Sequence, residues 1–308
     1  MGISKLNAFI KKHSNVDNNR TSISLFSNTK IAVDISMYLY QFKRKRSTIP
    51  DMFSMCSVFR KYNIHPIFVF DGKPPESKSS SIEKRNMKKM KYEKQYEKLK
   101  QQYSEFENID SDESNHKKEE ITKKMHTCRN KSIRISKKEC LDIQKLLDSY
   151  GMSWVQCKGE ADIICAYLNK KKYVDYVLSD DTDMFPLGCK NVLRSLNILN
   201  HTVDIYNLDT ILHSVNLTLE EFQIFCLSYK KDSDTIIDRH GKNLFDYYND
   251  FIINKESLVS EHKYNNIFNL EHHKKDTCIQ IPEIKNKRYC IGKVFECLKQ
   301  HDFIFYDK

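Results

Sequence analysis

A short apolar run that stops abruptly in three carboxylates constrains this chain more than any other feature. Tyr173, Val174, Tyr176, Val177 and Leu178 have the pattern of a short buried strand. They lead into Ser179-Asp180-Asp181-Thr182-Asp183, within the stretch VDYVLSDDTDMFPLG that spans 174–188. Carboxylates at the end of a strand cannot be packed dry without partners. At the C-terminal edge of an α/β sheet, where ligands bind, they can hold hard divalent cations. The competing reading is an acidic turn solvated on the surface. Two further stretches weigh against it. KIAVDI (30–35) is a strand pattern whose apolar run ends at Asp34, and HPIFVF (65–70) runs directly into Asp71 and the turn Gly72-Lys73-Pro74-Pro75. Parallel strands bring such ends to one rim.

The intervening segments supply the helices that parallel strands need. Residues 3–13 carry Leu6, Phe9 and Ile10 on one helical face, 36–45 form a second helix, and about 51–62 a third, with Met52, Met55, Val58 and Phe59 as its stripe. From Lys78 to about Asn130 the composition shifts. KRNMKKMKYEKQYEKLKQQY is strongly basic, without Gly or Pro, and reads as a long solvated helix; EFENIDSDESNHKKEE is an acidic turn or tip. This segment is either a charged surface hairpin or a basic structure that contacts phosphates. Ser136 can cap a helix to about Tyr150, with Gly151 as its stop. Trp154-Val155-Gln156 is a short strand, and Glu160-Ala161-Asp162 opens a helix. Those two acids either complement the helix dipole or point into the same rim. A β-hairpin is expected over 191–196 and 201–206, and helices over 208–214 and 219–229, followed by Lys230-Lys231-Asp232.

Composition sets the class. The chain has 308 residues, 40% hydrophobic and 11% aromatic, enough for one large or two small domains with a real core. It carries 51 basic against 41 acidic residues, and the net charge of +10 points to a polyanionic partner, most simply nucleic acid. Only 7 glycines and 6 prolines argue against long flexible linkers. The N-terminal MGISKLNAFIKKHS has no apolar signal region, Leu6 spoils a myristoylation match at Gly2, and no run of 18 apolar residues predicts a membrane span. The ten cysteines, with no CxxC pair, are expected as reduced thiols in an intracellular protein. His272, His273, Cys278, Cys290 and Cys297 match no zinc-finger spacing.

Several blocks, in order, resemble the flap endonuclease / XPG family of structure-specific 5′ nucleases. MGISKL is similar to that family's MGI-x-x-L start, IAVDISMYLYQF to its VAIDASMSIYQF block, and NIHPIFVFDGKPPESKSSSIEKR to the segment that runs from a VFDGxPP turn into a basic arch. CKGEADIICAYL and LSDDTDMFPLG resemble its two later acidic blocks. The resemblance covers roughly 1–90 and 136–232. It implies an α/β, PIN-like nuclease core (1–232) with a mostly parallel central sheet and helices on both faces. A helical arch would occupy about 78–135 and a divergent, DNA-binding helical region 233–308.

By the same resemblance, Asp34, Asp71, Glu160, Asp162, Asp181, Asp183 and Asp232 fall on metal-binding carboxylates, with Asp162 where the family has Glu. Asp180 is then a neighbour of the ligands. Lys78 and Arg85 fall on the basic pair that contacts the scissile phosphate, Tyr40 on an aromatic that stacks on a nucleobase, and Gly2 on a residue beside the site. The implied cofactor is two Mg2+ ions, replaceable by Mn2+, roughly 3.5 to 4 Å apart. One ion would take Asp34, Asp71, Glu160 and Asp162, the other Asp181, Asp183 and Asp232. The implied substrate is DNA with 5′ flaps or branches, cut by a monomer in replication, repair or recombination, in the nucleus or at a viral replication site. Two departures matter. The family's glycine-rich duplex grip is replaced by DTIIDRHGKNLFDYYNDF, with only Gly241. The final QHDFIFYDK holds Gln300, Phe303 and Tyr306 but is only a broken echo of a sliding-clamp peptide. The weakened grip leaves open a nuclease acting on RNA or simple DNA ends, or a non-catalytic DNA-binding relative.

Overall fold

A computed structural model describes residues 3, 5–14, 19–106, 112–235, 244–262, 268, 270 and 290–301, without side chains at 77, 112–114, 230–235, 261 and 262. The initial helix is α1 (Leu6–Ser14). Then come a short edge strand β1 (Arg20–Ser22), β2 (Lys30–Asp34), α2 (Ile35–Arg44), α3 (Thr48–Lys61) and β3 (His65–Phe70). Two long helices follow, α4 (Ser79–Phe106) and α5 (Asp112–Ser132), and then α6 (Lys137–Ser149), β4 (Ser153–Gln156), α7 (Ala161–Lys170) and β5 (Tyr176–Leu178). The hairpin β6 (Asn191–Asn197) and β7 (Thr202–Asn207) precedes α8 (Leu208–Ser214), α9 (Leu219–Thr235), α10 (Leu244–Ile253), α11 (Lys255–His262) and α12 (Ile291–Lys299).

The seven strands form one sheet in the order β1-β7-β6-β5-β2-β3-β4. The pairs β2–β3, β3–β4, β2–β5 and β5–β6 are parallel, and β7 is antiparallel to both β6 and β1. The chain therefore runs outward from β2 through β3 to β4. It then crosses back over the sheet by α7 to β5, on the other side of β2. The strand order reverses between β2 and β5, which makes the C-terminal ends of these two strands the topological switch point where ligands bind in open α/β sheets.

Strand alternation builds two cores. Ala32, Ile67, Val69, Val155, Val177 and Val192 pack with α1, α7, α8, α9 and α10 on one face. Ile31, Val33, Phe68, Phe70, Leu178 and Leu193 pack with α2, α3, α6 and α12 on the other. A sheet buried on both faces explains why its strands read as continuous apolar runs. The expected Ser136 cap is a full capping box with Glu139. The third helix starts three residues before the expected Asp51, because Pro50 falls in its first turn, where a missing N–H costs nothing. The strand expected from Tyr173 is shorter, beginning at Tyr176. Asn169 Nδ2 donates to the Val174 and Asp175 carbonyls and holds those residues in a turn.

The basic segment forms two helices packed on each other, α4 and α5, and among their described side chains only Leu99 and Cys128 are buried. Pairs such as Arg134–Glu93 at 3.0 Å and the i,i+4 pairs Lys123–Glu119 and Lys124–Glu120 lace the solvated surface. β1, α10 and α12 are elements that the sequence pattern does not single out. Phe9 packs against Phe225 of α9 and against Phe245 and Tyr248 of α10, and α12 seats Val294 and Leu298 in the α2–α3–α6 core. The nine described cysteines are free thiols, and no described helix is long and apolar enough to cross a membrane. Cys290 and Cys297 lie on or beside α12; His272, His273 and Cys278 lie outside the described residues.

The α12 contact gives a stability test. Leu298 is fully buried, so Leu298→Ala is expected to lower unfolding free energy by about 2–5 kcal/mol through lost transfer energy and a cavity, read by urea denaturation. A change below about 0.5 kcal/mol would mean that α12 is not held on the core.

Candidate active site

Each parallel strand near the switch point delivers its acid by ending there. Asp34 closes β2 and caps α2, its Oδ1 accepting from Ser36 N at 3.3 Å. Asp71 follows β3. Its Oδ1 accepts from Ala161 N at 2.8 Å, the first residue of α7, and its Oδ2 accepts from the Ser36 hydroxyl. Glu160 is the N-cap residue of α7 but its side chain does not cap the helix, and Asp162 lies in the first turn. Ser179, directly after β5, donates to Asp34 Oδ2 at 3.0 Å and accepts from Asp181 N at 3.1 Å. Asp181 in turn caps a short 3-10 turn, its Oδ1 accepting from Asp183 N at 3.0 Å. Asp183 Oδ1 accepts from Ile3 N at 3.1 Å. One serine thus stitches the end of β2 to the end of β5 across the switch point.

Two of the acids, Asp34 and Asp162, are held above the usual carboxylate range. Burial, then Asp71 and Asp162, and more weakly Asp181, push Asp34 up to about 8, although the Ser179 hydroxyl pulls it down. Asp162 is pushed up to about 7 by burial and by Glu160, against the pull of Lys78. Asp34 has hydrogen bonds from neutral donors and carboxylates for neighbours, so its charge is held in low dielectric without compensation. Such a set fits a hard divalent cation, which prefers oxygen ligands. Among the described residues no three acidic, histidine or cysteine side chains converge closely enough to chelate an ion directly.

The other expected residues fall as follows. Lys78 reaches the acids, its ammonium 2.6 and 2.7 Å from the two Glu160 oxygens. Burial opposes its charge, but Glu160, Asp162 and Asp183 outweigh that and raise its pKa. Arg85 is exposed, with Nε donating to the Ser81 carbonyl one turn back in α4. Tyr40 lies beneath α4, with the Lys89 ammonium 5.0 Å from its ring centre. Asp180 turns away from the acids, accepting from Ser195 N at 2.6 Å and Gln41 Nε2 at 3.1 Å. Asp232 lies on α9, but its side chain is outside the described residues, as is Gly2.

Four residues that shape the site were not singled out by the sequence pattern. Ser36 and Ser179 orient Asp71 and Asp34. Gly72 lies against the 157–160 loop, where an added Cβ would meet the Cys157 carbonyl oxygen at 2.1 Å. Arg194, buried, donates to Asn7 Oδ1 and to the Asp180 carbonyl and lies over the rings of Phe185 and Tyr206. The signal for Gly72 was present in its place between Asp71 and the Pro pair. Arg194 had none, because nothing in a strand pattern marks an arginine as buried.

The raised carboxylate implies a pH dependence. Asp34 binds its proton more tightly folded than unfolded, so the metal-free fold loses stability as pH rises from about 4 towards 8. Asp34→Asn is expected to raise the metal-free melting temperature by at least several degrees at pH 8 and by a clearly smaller amount at pH 5. An equal shift at both pH values would show that the Asp34 charge does not strain the fold.

Comparison with known proteins bears on this geometry. The XPG N-terminal domain matches residues 1–92 and the XPG I-region residues 151–232, together more than half of the chain. Flap endonuclease 1 of Babesia bovis is 30% identical over 244 residues, covering 74% of this chain and 34% of its own length. Flap endonuclease 1 of Enterocytozoon bieneusi is 29% identical over 265 residues, covering 80% of this chain and 69% of its own. The chain thus spans between a third and about two thirds of these relatives. The catalytic core of Rad2, solved in complex with a DNA substrate, superposes with a TM-score of 0.59 at 18% identity, over 99% of this chain and 82% of that one. Its fold is therefore shared. With the first XPG region reaching into α4, the second beginning after α6, and the acids that the two regions contain meeting at the switch point, the chain belongs to the flap endonuclease / XPG family.

Proposed function

We propose that this chain is a structure-specific 5′ nuclease that hydrolyses DNA phosphodiesters at the C-terminal rim of its sheet, with two Mg2+ ions as cofactor. The observation that carries the reading is the acidic patch at the switch point, Asp34, Asp71, Glu160, Asp162, Asp181 and Asp183, which Lys78 compensates only in part, at Glu160 and Asp162. Asp34, Asp71, Glu160 and Asp162 would hold one ion and Asp181, Asp183 and Asp232 the other. When bound, such a pair supplies an activated water, charge neutralisation and stabilisation of the leaving oxygen. Ser36 and Ser179 hold the carboxylates in orientation. Lys78 and Arg85 would stabilise the extra negative charge that develops on the attacked phosphate. Hydrolysis adds water across one P–O bond, leaving a phosphate on one product and a hydroxyl on the other. Tyr40 offers a ring on which a base beside the cut can stack. We assign residues 1–232 to the nuclease core and 233–308 to a divergent C-terminal region; its helix α12 is seated back on the core.

A 5′-flap duplex labelled at either end tests the reading. Mg2+-dependent product at the base of the flap, abolished by EDTA, is the expected outcome. Asp181→Ala should lower the cleavage rate at least about 1,000-fold while DNA binding, read by fluorescence anisotropy, stays within about three-fold. Normal cleavage by Asp181→Ala would sink the site assignment. Cleavage of single-stranded RNA in preference to flap DNA would favour the second reading, which the single glycine of the 234–251 stretch motivates.

A further inference from the structure

Lys78 serves two incompatible roles if the proposed function holds. Its ammonium sits on both oxygens of Glu160, at 2.6 and 2.7 Å, and lies in the field of Asp162 and Asp183. Glu160 is at the same time a proposed cation ligand, and while the ammonium sits on both of its oxygens two of the three Lys78 N–H donors are spent there and not on a phosphate. The contact is held by the backbone around it. Gly72 N donates to the Gly159 carbonyl at 2.7 Å and Lys73 N to the Lys158 carbonyl at 2.9 Å, which stitches the turn after β3 to the loop before α7. Lys78 N donates to the Pro75 carbonyl, closing the short turn directly ahead of α4. Glu160 heads α7 without capping it, so its carboxylate is available to turn to Lys78.

We propose that Lys78 is a resident counter-ion, which competes with a divalent cation for Glu160 and becomes available to substrate phosphate only on being displaced. This inference rests on the metal-site reading above. Removing the ammonium without replacing it would leave Glu160 beside Asp162, the carboxylate that it already repels, so the exchange is one cation for another. Coupling of this kind is reciprocal: a phosphate that holds Lys78 away from Glu160 must tighten cation binding by the same factor by which the cation tightens phosphate binding. Cation loading and capture of the phosphate at the foot of α4 then become one ordered event.

The test is calorimetric titration of the full chain with Mg2+ and no DNA, for wild type, Lys78→Met, Glu160→Gln and the double variant, with far-UV circular dichroism to confirm each fold. Lys84→Met, an exposed charge removed from the first turns of α4, which Lys78 precedes, is the control for long-range electrostatics. If Lys78 competes directly, Lys78→Met binds Mg2+ about ten-fold more tightly than wild type. Lys84→Met should change affinity by no more than about two-fold, because exposed charges are screened. In the Glu160→Gln background the effect of Lys78→Met should fall to the level of that control, the signature of a pairwise interaction. Unchanged or weaker binding by Lys78→Met overturns the proposal, and so does an equal gain in the Glu160→Gln background, which would reveal only a through-space charge effect. Absence of Mg2+ binding in every variant, wild type included, overturns the metal-site reading itself and this inference with it.

Discussion

The carboxylate of Asp34 is the group on which the arrangement of the site depends. It is 6% exposed, at the end of the strand in the middle of the sheet. Its position is not negotiable. Ile31 and Val33 face one core and Ala32 the other, so β2 cannot slip by one residue without inverting both. The next residue begins α2, which the same carboxylate caps. Burial of a charge among other carboxylates is unfavourable, and the fold tolerates it because every surrounding element is held by apolar packing on both faces of the sheet. The site is therefore a place where stability is lower than the core alone would give, as is common where function needs concentrated charge.

The second constraint is the placement of the loop after β5. Ser179 binds Asp34 from one side, and Arg194 binds the Asp180 carbonyl from the other. A buried guanidinium needs compensation. Here it comes from Asn7, from the Asp180 carbonyl and from the faces of Phe185 and Tyr206, at 5.8 and 5.6 Å. Because Asn7 belongs to α1 and Ile3 N binds Asp183, the start of the chain is tied to the same loop. Three segments distant in sequence thus fix the orientation of Asp181 and Asp183 together.

Much of this was legible from residue pattern. The parallel strands and their acids followed from apolar runs that stop at Asp34, Asp71 and Ser179-Asp180-Asp181, and the helix cap at Ser136 from a serine placed just ahead of an apolar-periodic run. What escaped was non-local. β1 is a three-residue edge strand paired only with β7, too short to show alternation. The seating of α10 against Phe9, and of α12 against α6, depends on contacts between residues more than a hundred positions apart. Among Asp180, Asp181 and Asp183, spacing alone does not say which turns inward. The structure decides it through Ser195 N and Gln41, which take both oxygens of Asp180.

The distribution of charge along α4 completes the argument. Arg85 and Lys89 are one turn apart, and residues four apart share a helix face. The contact of Lys89 with Tyr40 shows that this face meets the core, and Lys78 precedes the same helix at the acids. Cations thus lie along the foot of α4, with Lys78 on a carboxylate of the rim and Lys89 over Tyr40. Those two sets attract one another directly when nothing lies between them, as the Lys78–Glu160 pair shows. On the proposed function, a phosphodiester with its metal ions would be complementary to both at once, the cations meeting its oxygens and the carboxylates holding the ions. Neither the acidic rim nor the basic row would be complementary to a phosphate alone, since the rim would repel it and the row by itself would bind it without placing it for hydrolysis.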